Sequence, residues 1–138
     1  MTLKNITRIA GSVAIVCTLA FAEDFKLYPG ARLDPQLSRQ ASSSRAQCQV
    51  YTTDDGFDKL YAFYKGQYKE FPWRLPKPKL PSGKELQWAY FILDGAPDLV
   101  HSRHWLKIQR PLAMTADLEE LELKDIRDVS VIQTIKRN

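Results

Sequence analysis

Cysteine, histidine, glycine and long apolar runs are scarce in this chain, and each scarcity removes a class of protein. Of the two cysteines, Cys17 falls inside a segment that reads as a removable leader, which leaves Cys48 alone. No intrachain disulfide can then staple the fold, and stability has to come from a hydrophobic core. Six Gly and eight Pro in 138 residues are too few for a collagen-like or low-complexity chain. Charge of one sign is missing as well: 20 Lys and Arg face 16 Asp and Glu, and removing Lys4 and Arg8 with the leader leaves 18 against 16, a surplus of +2. So small a surplus gives no support to nucleic acid as a partner. There is no Gly-x-Ser-x-Gly elbow, no His-Glu-x-x-His pair and no glycine-rich nucleotide loop, so the hydrolases and nucleotide enzymes that carry those motifs are excluded.

What is present is the composition of one folded domain, with 44% hydrophobic, 11% aromatic and 26% charged positions. Disordered and polytopic membrane chains do not look like this. Residues 1–22 stand apart. Lys4 and Arg8 without an acid precede an uncharged, mostly apolar run at 9–22 that ends in Ala20-Phe21-Ala22, a small-x-small cleavage pattern. A spanning helix needs about 20 apolar residues, more than this run offers. Val16 before Cys17 does not suit lipoprotein processing, which wants a small residue there. The expectation is a signal peptide at 1–22, cleavage before Glu23, export to the periplasm or medium with no transmembrane segment left, and a single domain at 23–138.

Within that domain, residues 46–53 alternate Ala46, Cys48, Val50 and Thr52 against Gln47, Gln49, Tyr51 and Thr53, the period of a half-buried strand. Cys48 is expected on its buried side, as a small apolar residue. Asp54 and Asp55 then stand where a helix would start, ready to cap its free amides. At about 100° per residue, Leu60, Tyr61, Tyr64 and Tyr68 all fall within about 60° of Phe57, an apolar stripe for a helix lying on a sheet. Either Gly66 ends that helix in a left-handed cap or the helix continues a further turn to Tyr68. Four prolines between 71 and 81 predict an extended connector. Residues 86–93, 104–110 and 129–136 read as strands, and 33–40 as one or two helical turns after Asp34-Pro35. The acidic stretch 117–128 reads as a loop or short helix. The expected class is α+β, one main amphipathic helix packed on an antiparallel sheet of about four strands.

Several of these stretches together resemble a group of uncharacterised bacterial secreted or periplasmic proteins. They are Tyr28-Pro29-Gly30-Ala31, Tyr51-Thr52-Thr53-Asp54 leading into residues 57–66, Leu80-Pro81-Ser82-Gly83-Lys84-Glu85, Phe91-Ile92-Leu93-Asp94-Gly95-Ala96 and Lys124-Asp125-Ile126-Arg127-Asp128-Val129. The resemblance spans most of residues 23–138. It implies an envelope location and a compact domain, and it brings no activity or binding residues.

Two constellations carry chemistry. Asp98, His101 and His104 form the one cluster of metal-type ligands in the sequence, suited to Zn²⁺ or Cu²⁺. A strand beginning there points His101 and His104 to opposite sides, so no metal site and no cofactor is expected. The second constellation is basic. Lys59, Lys65, Lys69, Arg74, Lys77, Lys79 and Lys84 against Glu70 give residues 59–84 a charge of +6, while residues 117–128 hold six acids against Lys124 and Arg127. Lys69, Phe71, Trp73, Arg74, Lys77 and Lys79 are thus candidates for contact with an anionic lipid or polymer through the Pro-rich segment 65–84. The competing expectation is that the aromatics pin a solvated connector to the core. A pairing of Cys48 with His101 or His104 is disfavoured because the strand turns Cys48 inward.

Without catalytic signatures, the leading expectation is a non-catalytic envelope domain that binds a protein partner or ligand. A binder of anionic envelope components and a metal protein follow. The exported protein is expected to begin at Glu23 on N-terminal sequencing, and a product that still begins at Met1 would contradict the leader.

Overall fold

The computed structural model describes residues 25–74, 76–117 and 122–138, so the segment expected as signal peptide lies outside the described residues. In chain order the elements are β1 (Arg32–Leu33), α1 (Pro35–Ala41), β2 (Ala46–Thr53), α2 (Phe57–Lys65), β3 (Lys69–Phe71), β4 (Gln87–Ile92), β5 (His104–Arg110), β6 (Leu112–Asp117), β7 (Glu122–Arg127) and β8 (Ser130–Arg137). Six of the strands form one antiparallel sheet in the order β1-β2-β8-β5-β4-β3, and β6 and β7 pair as a separate hairpin. The α+β expectation holds in outline, with corrections. The sheet has six strands instead of about four, and the helical turns expected at 33–40 form a second helix, α1. The four strands expected are β2, β5 and β8 from alternation and β4 from its aromatic and β-branched content. The two added at the edges are two and three residues long, too short for a period to show.

One face of the sheet is a continuous apolar floor. Register puts Tyr51, Ile132, Ile108 and Ala89 in one row across β2, β8, β5 and β4, and Leu106 beside Phe91 in the next. Helix α2 lies over this floor, with Leu60 and Tyr64 fully buried among Ala89, Phe91, Leu106, Ile108 and Ile132. The aromatic stripe is therefore core, with Phe57, Tyr61 and Tyr68 packed around its rim. Tyr64 Oη accepts a hydrogen bond from the Tyr28 amide at 3.1 Å, so the residue fills space and ties down the N-terminal extension. Tyr61 hydroxyl donates to the Glu70 carboxylate on β3.

The ends of α2 differ from expectation. Gly56 occupies the N-cap position and no side chain caps the helix. The Asp55 carboxylate accepts instead from Tyr28 Oη at 2.6 Å, a partner 27 positions upstream that no local pattern announces. The Asp55 carbonyl accepts from Ser130 Oγ and from Arg110 Nη1, and Arg110 Nη2 reaches the Asp128 carboxylate at 3.1 Å. The start of α2 is thus held from two strands. Gly66 is right-handed, with φ −74° and ψ −11°, so the helix ends without a left-handed cap.

Helix α1 guards the edge of β2. Asp34 Oδ1 accepts from the Leu37 amide at 3.0 Å and Pro35 occupies the first helical position, both favourable helix starts. Beyond the two residues paired with β1, the amides of Val50 and Cys48 donate to Ser38 Oγ and Ser42 Oγ at 2.8 and 2.9 Å. Four residues of helix advance about 6 Å and two of strand about 6.6 Å, so serines spaced by four match alternate strand amides. The edge that would otherwise be open to pairing is closed by side chains.

Two more differences concern the last third of the chain. Residues 122–127, expected as loop or short helix, form β7, because β6 supplies a ladder that local charge does not reveal. The strand expected at 129–136 is β8, which lies between β2 and β5 with Ser130, Val131, Ile132 and Thr134 buried. Cys48 is 7% exposed and unpaired, inward as expected, on the face away from α2.

Tyr64→Ala is expected to cost about 3 kcal/mol through lost burial and the cavity left, and Tyr64→Phe about 1 kcal/mol through the unmet Tyr28 amide. Urea midpoints of the two variants check both values, and an unchanged midpoint for Tyr64→Ala would remove α2 from the core.

Candidate functional site

The residues singled out from sequence lie at two places, and neither forms an enclosed site. Asp98 Oδ1 accepts from the His101 amide at 2.9 Å and stands 2.7 Å from its Nδ1. These bonds hold the Asp98 carboxyl below its usual value. His104 opens β5, where its amide donates to Ser102 Oγ and its carbonyl accepts from Leu93. Among the described residues no group of three His, Cys, Asp or Glu is placed to hold a metal ion. The turn has a structural role, since Asp94 accepts from Ser102 Oγ and from the Arg103 amide and so shapes the loop between β4 and β5.

The basic segment runs along the β3 edge and beyond it. Lys69 is exposed in β3 and its Nζ reaches the Pro97 carbonyl at 3.5 Å. Arg74 and Lys79 are exposed, Lys77 is half-buried, and the Lys79 backbone bridges to Glu85. Phe71, Pro72, Trp73 and Arg74 border a shallow hollow. Trp73 turns onto the sheet, stacked on Tyr90 with centroids 5.1 Å apart and edge-on to Trp88 at 5.3 Å. One aromatic of the segment therefore anchors the connector, while exposed charges flank it.

That anchor leads to the second face of the sheet, which the sequence left without a role. Here β4 presents Trp88 and Tyr90, β5 presents Trp105, Lys107 and Gln109, and β8 presents Val131 and Gln133, since residues paired across an antiparallel ladder share a face. Helix α1 and the start of β6 wall the β2 side. Leu37 and Leu112 pack there with Val50, Val131 and Val129. Between these walls lies an open groove of about 300 Å³, lined by Leu37, Gln40 and Ala41 of α1, Val50, Lys107, Gln109, Leu112, Ala113, Val131 and Gln133.

Lys107 is the exceptional group. Its ammonium lies 4.6 Å from the centre of the Trp88 ring and 5.8 Å from that of Tyr90. The rings' negative faces attract the cation. The ion pairs among the described residues are His101 with Asp98 and Arg110 with Asp128, and Lys107 enters neither. Burial alone acts on it, and lowers its pKa to about 8. Burial likewise raises Tyr90 above its ordinary value, so that phenol stays neutral. Close by, Trp73 Nε1 and Trp88 Nε1 are buried without an acceptor among the described residues. On the same face Arg137 stacks on Trp105 at 4.7 Å.

In the sequence Lys107 sits between Leu106 and Ile108 and looks like the outward residue of a half-buried strand. The available signal was the company on its side of the ladder. A face that carries Trp88, Tyr90 and Trp105 is poorly suited to face water.

No protein-family model, curated protein or solved structure matches this chain. The groove is the arrangement in the described residues that combines concavity, apolar walls, convergent polar groups and a perturbed titratable residue.

Lys107→Met is expected to raise stability at pH 7. The unfolded lysine keeps its proton up to about 10.4, while the folded one loses it near 8. Between those values the unfolded state binds more protons, so wild-type stability gains as pH rises. The advantage of the variant should shrink by about 1 to 2 kcal/mol between pH 7 and pH 9.5. Urea midpoints of both proteins at each pH check this, and a constant gap would mean that Lys107 titrates as in water.

Proposed function

We propose that this chain is a non-catalytic, exported domain of the bacterial envelope that binds a ligand on the second face of its sheet. The observation that carries the reading is Lys107, a half-buried ammonium on the groove floor, partly desolvated and with no carboxylate partner among the described residues. A charge kept from water without a counter-ion weakens the fold. Such a group in a cleft marks a site where something else completes it. The remaining polar lining, Gln40, Gln109 and Gln133, offers carboxamides that donate and accept hydrogen bonds. These groups hold and orient, and the reading assigns no residue a catalytic part. Support for export comes from the charged leader, its short apolar run and Ala20-x-Ala22.

The test blocks the groove from its rim. Ala41 is exposed at the end of α1 and lines the groove, so Ala41→Trp adds bulk there without entering the core. With 1-anilinonaphthalene-8-sulfonate as a fluorescent probe, the wild type is expected to bind about one equivalent, and Ala41→Trp to bind about tenfold more weakly. Equal titration curves for the two folded proteins would place the probe elsewhere and remove the groove from the argument.

A further inference from the structure

The groove is not uniform, and its grading selects a chemistry. In one row across the sheet, Tyr90, Lys107, Gln133 and Val50 are successive partners on β4, β5, β8 and β2. In the next row Trp88, Gln109 and Val131 follow the same order. The floor therefore passes from aromatic rings through an ammonium and amides to aliphatic side chains. Two strand spacings, about 10 Å, separate the ammonium on β5 from Val50 on β2. At that far side Leu37 and Leu112 raise an apolar wall. A molecule that satisfied both ends would carry a negative charge at one end and an apolar body at the other.

Resting on the groove reading above, we propose that the ligand is a free single-chain amphiphile with one carboxylate, its head on Lys107 and its tail laid toward Val50, Val131, Leu37 and Leu112. Charge complementarity fixes the head. The ammonium lies over Trp88 and Tyr90 from β4, Trp73 from the connector packs against those two rings, and Gln109, Gln133 and Gln40 line the same groove. None of these is an anion, and the one other titratable group, Tyr90, stays neutral until well above neutral pH. A carboxylate on Lys107 would turn a solitary, partly desolvated charge into a pair with a charge-assisted hydrogen bond. Size argues for a free molecule over a membrane. A groove of about 300 Å³ is at the small end for ligand pockets and accommodates one short chain.

The pairing also sets a pH signature. The free ammonium loses its proton near pH 8, whereas a bound carboxylate favours the charged form and raises that value. Affinity is therefore full below about pH 8 and declines as pH rises toward the bound value, while the carboxylate stays ionised throughout.

The experiment compares decanoate, 1-decanol and decyltrimethylammonium, equal in tail and different in head, by tryptophan fluorescence and calorimetry on the folded domain. Decanoate is expected to bind about tenfold or more tightly than decanol, and the cation weakest. Lys107→Met should lower decanoate affinity about tenfold and leave decanol within about twofold, while Lys107→Arg should retain the preference. Wild-type affinity for decanoate should fall about tenfold from pH 7 to pH 9.5. Equal binding of decanoate and decanol would overturn the carboxylate assignment and leave the groove reading in place. Binding of none of the three would remove the groove reading too. Binding to phosphatidylglycerol vesicles with no response to decanoate would overturn the free-ligand assignment in favour of a membrane surface. If Lys107→Met does not fold, the head-group series and the pH profile on the wild type decide the outcome.

Discussion

The strand that arrives last in the chain is the one the sheet cannot do without. β8 lies between β2 and β5, so it alone joins the β1-β2 half to the β5-β4-β3 half. All eight of its residues, Ser130 to Arg137, pair with β2, and Gln109 to His104 on β5 pair along its other side. Ile132 is fully buried under α2, while Val131 helps floor the groove behind it. Both layers of the molecule are thus built on one strand whose partners are distant in sequence, a topology in which loop-closure entropy must be overcome before packing compensates it. The closing contacts lie at the extreme end, where the Arg137 and Asn138 amides donate to the Arg103 and Arg45 carbonyls.

From that central strand the two faces diverge. A nine-residue helix with Leu60 and Tyr64 at its centre packs on one face, joined there by Phe25 and Tyr28. The other is covered from its two edges. Helix α1, fastened to β2 by Ser38 and Ser42, comes from one side, and the connector, fastened to β4 by Trp73, comes from the other. The covers do not meet. What lies between them is the middle of β5 and β8, and there stand Lys107, Gln109 and Gln133 in place of the aliphatic side chains that fill the matching positions under α2.

The parts of this arrangement that were legible in the sequence are those where one physical signal dominates. Alternation exposed β2, β5 and β8 because each is long and apolar on at least one side, and aromatic and β-branched content exposed β4. The stripe from Phe57 to Tyr64 exposed α2 because helical spacing gathers it. What stayed hidden depends on partners far away. β1 and β3 are too short to show a period, β7 is charged and owes its form to β6, and the Asp55 carboxylate that looks like a helix cap is taken by Tyr28. Lys107 was hidden for a related reason. Alternation shows that it opposes Leu106 and Ile108, and only the assembled sheet reveals that its own side bears Trp88, Tyr90 and a neighbouring wall. Of the candidates chosen by residue type alone, Asp98 and His101 sit instead at a turn and His104 opens the strand that follows it.

A half-buried lysine without a counter-ion among the described residues is a local conflict in the fold. Other buried polar side chains are answered within the chain, Ser102 by Asp94 and the His104 carbonyl and Ser130 by the Asp55 carbonyl and Arg110. At Lys107 the answer within the chain is two aromatic rings, which attract a cation without neutralising it. Conflicts of this kind gather at functional sites, because a group satisfied by its own fold has little left to offer a ligand. Stability and binding then oppose one another at a single atom. The Nζ that a methionine would remove with benefit to the folded state is the atom that gives the groove its preference for negative charge.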